Sequence, residues 1–163
     1  MCGFLGYIVK KTDVSEELKK KFKVYHQKMS HRGPDFQTEI SNENNSLISS
    51  FGFSRLSIQD LNENANKIFR NHNSILLFNG EIYNKYSLTK KYLDTHKLET
   101  SSDTEVLFLL LINFGVKIIS EIEGIFSIVY YDLKNSKVYL IRDYTGTKPL
   151  YYFSKKNNIF FSS

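Results

Sequence analysis

An α+β fold of antiparallel sheets covered by helices is predicted by three observations on this sequence. Strand-like apolar runs alternate with segments of helical spacing, with no repeat, low-complexity block or convincing linker between them. The last third reads as an antiparallel meander of Ile125–Asp132, Lys137–Arg142, Leu150–Ser154 and Asn158–Ser162, the first two joined by a Leu-Lys-Asn-Ser turn. Ile125-Phe126-Ser127-Ile128-Val129-Tyr130-Tyr131 is apolar on both faces, unlike a strand with one wet side, so its sheet should be covered above and below. A layered sandwich of sheets and helices fits all three.

The elements follow in order. Gly3–Val9 is a short apolar strand that would fix the amino terminus against a sheet instead of letting it fray. Asp13 and Glu16 have capping-box spacing, and Val14, Leu18, Phe22, Tyr25 and Met29 recur at helical spacing to about Ser30 as core positions. Strands are predicted at about Phe36–Ile40, Ser46–Phe53 and Ser74–Phe78. Helices are predicted over Lys85–Leu93 and Asp103–Phe114, the latter stopped by Gly115, with a short helical stretch near Val116–Ile122.

Composition narrows the function classes. A chain of 163 residues, 41% hydrophobic and 24% charged, suits one soluble domain with a core. The single cysteine excludes an intramolecular disulfide, and His26, His31, His72 and His96 show no zinc-site spacing, so no metal is expected. Neither a signal-peptide pattern nor an apolar run long enough for a bilayer is visible, the longest being Val106–Ile112; the expected location is the cytoplasm, away from membranes. The net charge of +5 raises nucleic-acid binding, but the lysines scatter over solvated faces and no basic-aromatic module is present.

The chemistry centres on Cys2, in Met1-Cys2-Gly3. With Met1 removed, one residue carries both nucleophile and base: the thiol attacks a carbonyl carbon while the α-amine, of reference pKa about 8, takes and returns the proton. Other motifs each have an ordinary local explanation. Arg55, in Phe51-Gly52-Phe53-Ser54-Arg55-Leu56-Ser57-Ile58, can grip a carboxylate or be an edge arginine in a surface salt bridge. Asn79-Gly80 supplies two close N–H donors suited to an oxyanion hole, yet by itself reads as a hairpin turn. Asp103 can receive an ammonium, while Ser102 and Glu105 around it have capping-box spacing. His31-Arg32-Gly33-Pro34-Asp35 reads as a helix-stopping turn, and Arg142-Asp143 through Lys148-Pro149 as a rigid connection between strands.

Jointly, in this order and spacing, these motifs match one family. Met1-Cys2-Gly3, His31–Asp35, Arg55-Leu56-Ser57-Ile58, Asn79-Gly80-Glu81-Ile82-Tyr83-Asn84, Ser102-Asp103 and Arg142-Asp143 through Gly146-Thr147-Lys148-Pro149-Leu150-Tyr151-Tyr152 span essentially the whole chain. The chain resembles the class II (type 2) glutamine amidotransferase domain, in the form found at the amino terminus of glutamine-hydrolysing asparagine synthetases. Three positions depart from the family's usual pattern. Ser54 replaces a larger polar residue, Phe36-Gln37-Thr38 lacks the glycine usual after the turn, and the stretch beyond Gln59-Asp60 lacks a glutamine-proline pair.

The resemblance implies a four-layer αββα N-terminal-nucleophile hydrolase sandwich with two stacked antiparallel sheets. It implies Cys2 as nucleophile and, through its amine, base, with Asn79 and the Gly80 N–H as the oxyanion hole. Arg55 is expected to hold the α-carboxylate of L-glutamine and Asp103 its α-ammonium, assisted by backbone at Leu56, Ser57, Ile58, Gln59 and Glu81. The implied reaction is glutamine plus water giving glutamate and ammonia through a γ-glutamyl thioester. This domain needs no cofactor; ATP and magnesium belong to the synthetase domain or subunit that receives the ammonia, most simply to make asparagine from aspartate. No phosphate-binding glycine loop of such a domain occurs in residues 1–163. The sequence thus reads as the glutaminase part alone, either cut from a longer chain or acting as a free-standing subunit for this or another acceptor. A glutamine-binding sensor without turnover would not need Cys2 and Asn79, and an amidase for other substrates would not need both Arg55 and Asp103.

Overall fold

The computed structural model describes residues 2–44, 46–58 and 60–163. Two compact units make up the chain, one of Met1–Leu56 with Pro149–Ser163, the other of Ser57–Lys148. The predicted α+β class and the two antiparallel sheets are both present.

The first unit is built on a five-stranded sheet. Its strands are β1 (Gly3–Lys10), β2 (Phe36–Glu43), β3 (Leu47–Arg55), β8 (Tyr151–Lys155) and β9 (Asn158–Ser162), in the order β2-β3-β1-β9-β8. Helix α1 (Glu16–Lys28) packs on it, Phe22 meeting Tyr7 edge-on at 5.5 Å between ring centroids. Leu5, Tyr7 and Val9 share one face of β1 by the two-residue period of a strand, and Leu18, Ile48 and Phe160 complete that apolar cluster. The helix starts two positions later than the sequence implied. Ser15 is its N-cap, accepting from the Leu18 N–H at 3.1 Å, whereas Asp13 lies in a short 3₁₀ turn and accepts from the Asn158 amide. Tyr25, expected in the core, is 54% exposed, and His26 is buried in its stead.

The second unit holds the four-stranded sheet β4-β5-β6-β7, made of Phe69–Arg70, Ser74–Ile82, Gly124–Asp132 and Lys137–Arg142. Helices α2 (Lys85–Tyr92) and α3 (Asp103–Phe114) cover one face over a cluster including Phe78, Ile82, Phe126, Leu107 and Leu111. Leu77, Val129 and Tyr131 alternate to the other face and are just as deeply buried, as the doubly apolar strand predicted.

Two sequence expectations are corrected. The carboxy-terminal strands are not one meander: β6 and β7 pair in one sheet and β8 and β9 in the other, because residues 143–150 leave the first sheet. Nor is Asn79-Gly80 a turn. It lies inside β5, where Asn79 pairs with Ser127 and Gly80 with Phe126, since cross-strand partners continue to Ile82–Gly124.

Candidate functional site

In the first unit the amino terminus is held by groups distant in sequence. Cys2 is half-buried, and its Sγ–H donates to the Leu56 carbonyl at 3.7 Å. Arg32 reaches the Cys2 carbonyl with Nη2 at 3.3 Å and the Ser163 carbonyl with Nη1 at 3.4 Å. Phe4 and Ser163 exchange two bonds: the Phe4 N–H donates to Ser163 Oγ at 3.0 Å, and the Ser163 N–H to the Phe4 carbonyl at 2.9 Å.

The His31–Asp35 turn sets the position of Arg55 as well. A Cβ on Gly33 would lie 2.2 Å from the Ser54 carbonyl carbon and 2.4 Å from the Arg55 nitrogen, so only glycine lets the two backbones come this close. Pro34 pairs with Arg55 in an isolated bridge, and the Asp35 N–H donates to the Arg55 carbonyl at 3.2 Å. Arg55 ends an interior strand and is 8% exposed, so it is not the edge arginine of a surface salt bridge. Arg32 and Gly33 are therefore site-building residues that local sequence rules miss. Glycine and proline explain the turn, and nothing local marks a guanidinium that reaches Cys2.

In the second unit the geometry follows from the side to which each β5 amide points. Phe126 uses both backbone groups toward Asp143: its N–H donates to Asp143 Oδ2 at 3.1 Å and its carbonyl accepts from the Asp143 N–H at 2.9 Å. In an antiparallel ladder a residue's N–H and C=O point the same way, so Gly80 and Phe126 form a non-hydrogen-bonded pair. Other bonds fix the same alternation. The Asn71 N–H donates to the Ser74 carbonyl on the β4 side of β5, while the Asn73 and Glu123 carbonyls, on the opposite side, accept from Leu133 and Tyr83. Even-numbered residues of β5 therefore turn their amides away from β6. Because β4 pairs only with Ile75 and Leu76, the Gly80 N–H lies beyond its end, outside both ladders.

Asn79 alternates to the face opposite the helices. It is 2% exposed, and its Nδ2 has no hydrogen-bond partner among the described residues; neither has Oγ of its cross-strand neighbour Ser127. Two residues beyond Gly80, the Ile82 N–H points the same way and donates to Asp103 Oδ2 at 2.8 Å. Asp103 is the first residue of α3. Ser102 caps that helix, accepting from the Glu105 N–H at 3.2 Å, but Glu105 does not complete a box. Its carboxylate accepts from the Glu99 and Thr100 N–H groups and the Thr100 hydroxyl, tying down the segment before α3. A Cβ on Gly80 would meet the Ile125 carbonyl at 2.3 Å, and one on Gly124 the Glu81 carbonyl at 2.1 Å, so both glycines are needed for β5 and β6 to approach.

The candidate residues thus fall into two sets. Cys2, Arg55 and Leu56 are gathered in the first unit by the His31–Asp35 turn. Asn79, Gly80, Glu81 and Asp103 are gathered in the second by β5 and the start of α3. Ser57 and Ile58 open the second unit, Ile58 being 71% exposed, and Gln59 lies outside the described residues.

A buried carboxylate braces β6 from the other side. Burial pushes the Asp143 carboxyl up, but N–H groups of Lys148 and Thr147, the Thr145 hydroxyl and the Phe126 N–H hold it well below the usual carboxylate range. Among the described residues, no group of three or more His, Cys, Asp or Glu is placed to hold a metal ion, and no helix is long and apolar enough to cross a membrane.

Comparisons with known proteins agree with these motifs. Residues 1–163 match the family model of the glutamine amidotransferase domain. Asparagine synthetase B (glutamine-hydrolyzing) of Escherichia coli (strain K12) is 34% identical over 152 residues, which are 93% of this chain and 26% of that protein. Asparagine synthetase (glutamine-hydrolyzing) 2 of Bacillus subtilis (strain 168) is 37% identical over 172 residues, 100% of this chain and 21% of that protein. The chain therefore spans about a quarter or less of the length of these curated relatives. Glutamine phosphoribosylpyrophosphate (PRPP) amidotransferase from B. subtilis shares the fold, with a TM-score of 0.71 at 17% identity over 99% of this chain and 41% of that one. This chain belongs to the glutamine amidotransferase domain family, in its class II form with the N-terminal-nucleophile hydrolase fold, and its homologues include glutamine-hydrolysing asparagine synthetases.

Proposed function

We propose that this domain hydrolyses L-glutamine to glutamate and ammonia with Cys2 as nucleophile. The observation that carries the reading is on β5, where two adjacent donors stand ready: the buried Asn79 Nδ2, with no hydrogen-bond partner among the described residues, and the Gly80 N–H, which lies outside both ladders. Burying a donor without a partner is costly, and a pair of such donors is what a developing oxyanion requires. Asp103 adds a buried anion on the same edge, and Arg55 a buried cation, matching the two charges of a free amino acid.

In this mechanism the Cys2 α-amine, free once Met1 is removed, takes the thiol proton as sulfur bonds to the amide carbon. Negative charge collects on the amide oxygen, which the Asn79 amide and Gly80 N–H stabilise. Collapse breaks the C–N bond, the amine returns the proton to the leaving nitrogen, and ammonia departs from a γ-glutamyl thioester. Water activated by the same amine attacks the thioester, giving glutamate and restoring the thiol. The ammonia is consumed by an ATP- and magnesium-dependent synthetase domain or subunit that activates aspartate, a reading supported by the names of the two relatives.

The test is a glutaminase assay on protein shown by intact mass to begin at Cys2, beside Cys2→Ala. The substituted protein should lose activity by several orders of magnitude. Equal rates in the two would sink the mechanism.

A further inference from the structure

Lys85 is not among the residues that the reaction above uses, yet its ammonium is ion-paired with the carboxylate assigned to the substrate. Lys85 is the first residue of α2, with Nζ 3.2 Å from Asp103 Oδ1 and side-chain exposures of 16% for Lys85 and 5% for Asp103. Asp103 Oδ2 is taken by the Ile82 N–H, and Oδ1 has no hydrogen-bond partner among the described residues, so the Lys85 contact is one of charge. Nζ also donates to the Ser101 carbonyl at 2.8 Å. The start of the side chain is fixed as well, because Asn84 before it accepts from the Glu123 N–H at 3.0 Å and donates to the Glu121 carbonyl at 2.8 Å.

We propose that Lys85 is a specificity-determining residue: an internal cation seated on Asp103, which the α-ammonium of glutamine must displace. The inference rests on the reading of Asp103 as the ammonium seat. One carboxylate oxygen faces two claimants of like charge, and like charges brought together in a buried site repel strongly. Lys85 can yield because its flexible four-carbon stem leaves the ammonium a second acceptor at Ser101. Until it yields it keeps a buried carboxylate compensated, and so prevents the large penalty of a bare internal charge. Substrate binding is weakened accordingly. A ligand lacking the α-ammonium leaves Lys85 in place and loses less.

Steady-state kinetics of the full chain with glutamine and with glutaramate, which is glutamine without its α-amino group, read this directly. Lys85→Met should lower KM for glutamine on the order of tenfold with kcat unchanged, and raise the kcat/KM preference for glutamine over glutaramate by a similar factor. Lys85→Arg, which keeps the cation, should stay near the parent in both. Lys85→Gln, uncharged but able to bond Ser101, should follow Lys85→Met and serves if that variant folds poorly. In a Cys2→Ala background, glutamine should raise the melting temperature more with Lys85→Met than without it. An unchanged or raised KM together with an unchanged preference in a folded, uncharged variant would overturn the proposal while leaving the glutaminase reading intact. Parent protein that is inactive, or no more active than Cys2→Ala, would overturn both.

Discussion

Gly33 is the residue on which the closeness of the His31–Asp35 turn to β3 depends. Any Cβ there collides with backbone at Ser54 and Arg55, and backbone cannot rotate aside as a flexible side chain can. Gly33→Ala should cost about 1–3 kcal/mol in a denaturant titration and, by shifting Arg32 and Arg55, depress the proposed glutaminase turnover too. Unchanged stability would mean that the turn has slack. Two departures from the family pattern prove to be neighbours: Gln37 and Ser54 face each other in the β2–β3 ladder, and Gln37 Nε2 donates to Ser54 Oγ at 2.9 Å. At this scale the sequence marks Cys2, Arg55 and Asp103 as candidates by the particular chemistry of their side chains, and the structure adds that Arg55 and Asp103 are buried. The sequence was opaque for Arg32, because a guanidinium that grips a carbonyl thirty positions away leaves no local pattern.

Among the elements, β5 shows how a local rule is overridden. Asn-Gly favours a two-residue hairpin when the flanking strands can pair with each other. Here β5 pairs instead with β6, more than forty positions on, and the ladder carries the strand straight through. The alternation along β5 has an observable consequence. Backbone N–H groups of Asn79 and Glu81 point into the β6 ladder and that of Gly80 does not, so by native-state hydrogen exchange Gly80 should exchange on the order of tenfold or more faster than its two neighbours. Equal protection would contradict the assignment of its amide as an unused donor. Helix starts were legible in kind though not in position. Asp13 and Ser15 are both capping types, but Asp13 is drawn away by Asn158, 145 positions distant, leaving Ser15 to cap α1.

For the molecule as a whole, the alternation of strands and helices and the doubly buried strand were readable because they rest on the period of burial. The division of the last four strands between two sheets was not. It depends on residues 143–150, where a single carboxylate gathers N–H groups from Phe126, Thr147 and Lys148. Asp143 ionises more readily folded than unfolded, so its stabilisation is complete above the ordinary value of 3.8 and is lost as pH falls from there toward the lower folded value. Asp143→Asn should therefore cost about 1–3 kcal/mol at pH 7 and flatten the decline of the melting temperature below about pH 4. A variant whose acid unfolding curve overlays the parent's would show that the connection is held otherwise.

The pairing of the first strand with the last also orders events in time. β1 lies between β3 and β9, and its register with β9 joins Leu5 to Ser162 and Ile8 to Ile159. At about 5–20 residues per second of synthesis, one side of β1 waits roughly ten seconds for its neighbour to be made. Through that interval neither the Ser163 contacts to Phe4 and Arg32 nor the β9 ladder exists. Removal of the residue before Cys2, which the proposed chemistry requires, thus has its opportunity before β9 closes over β1.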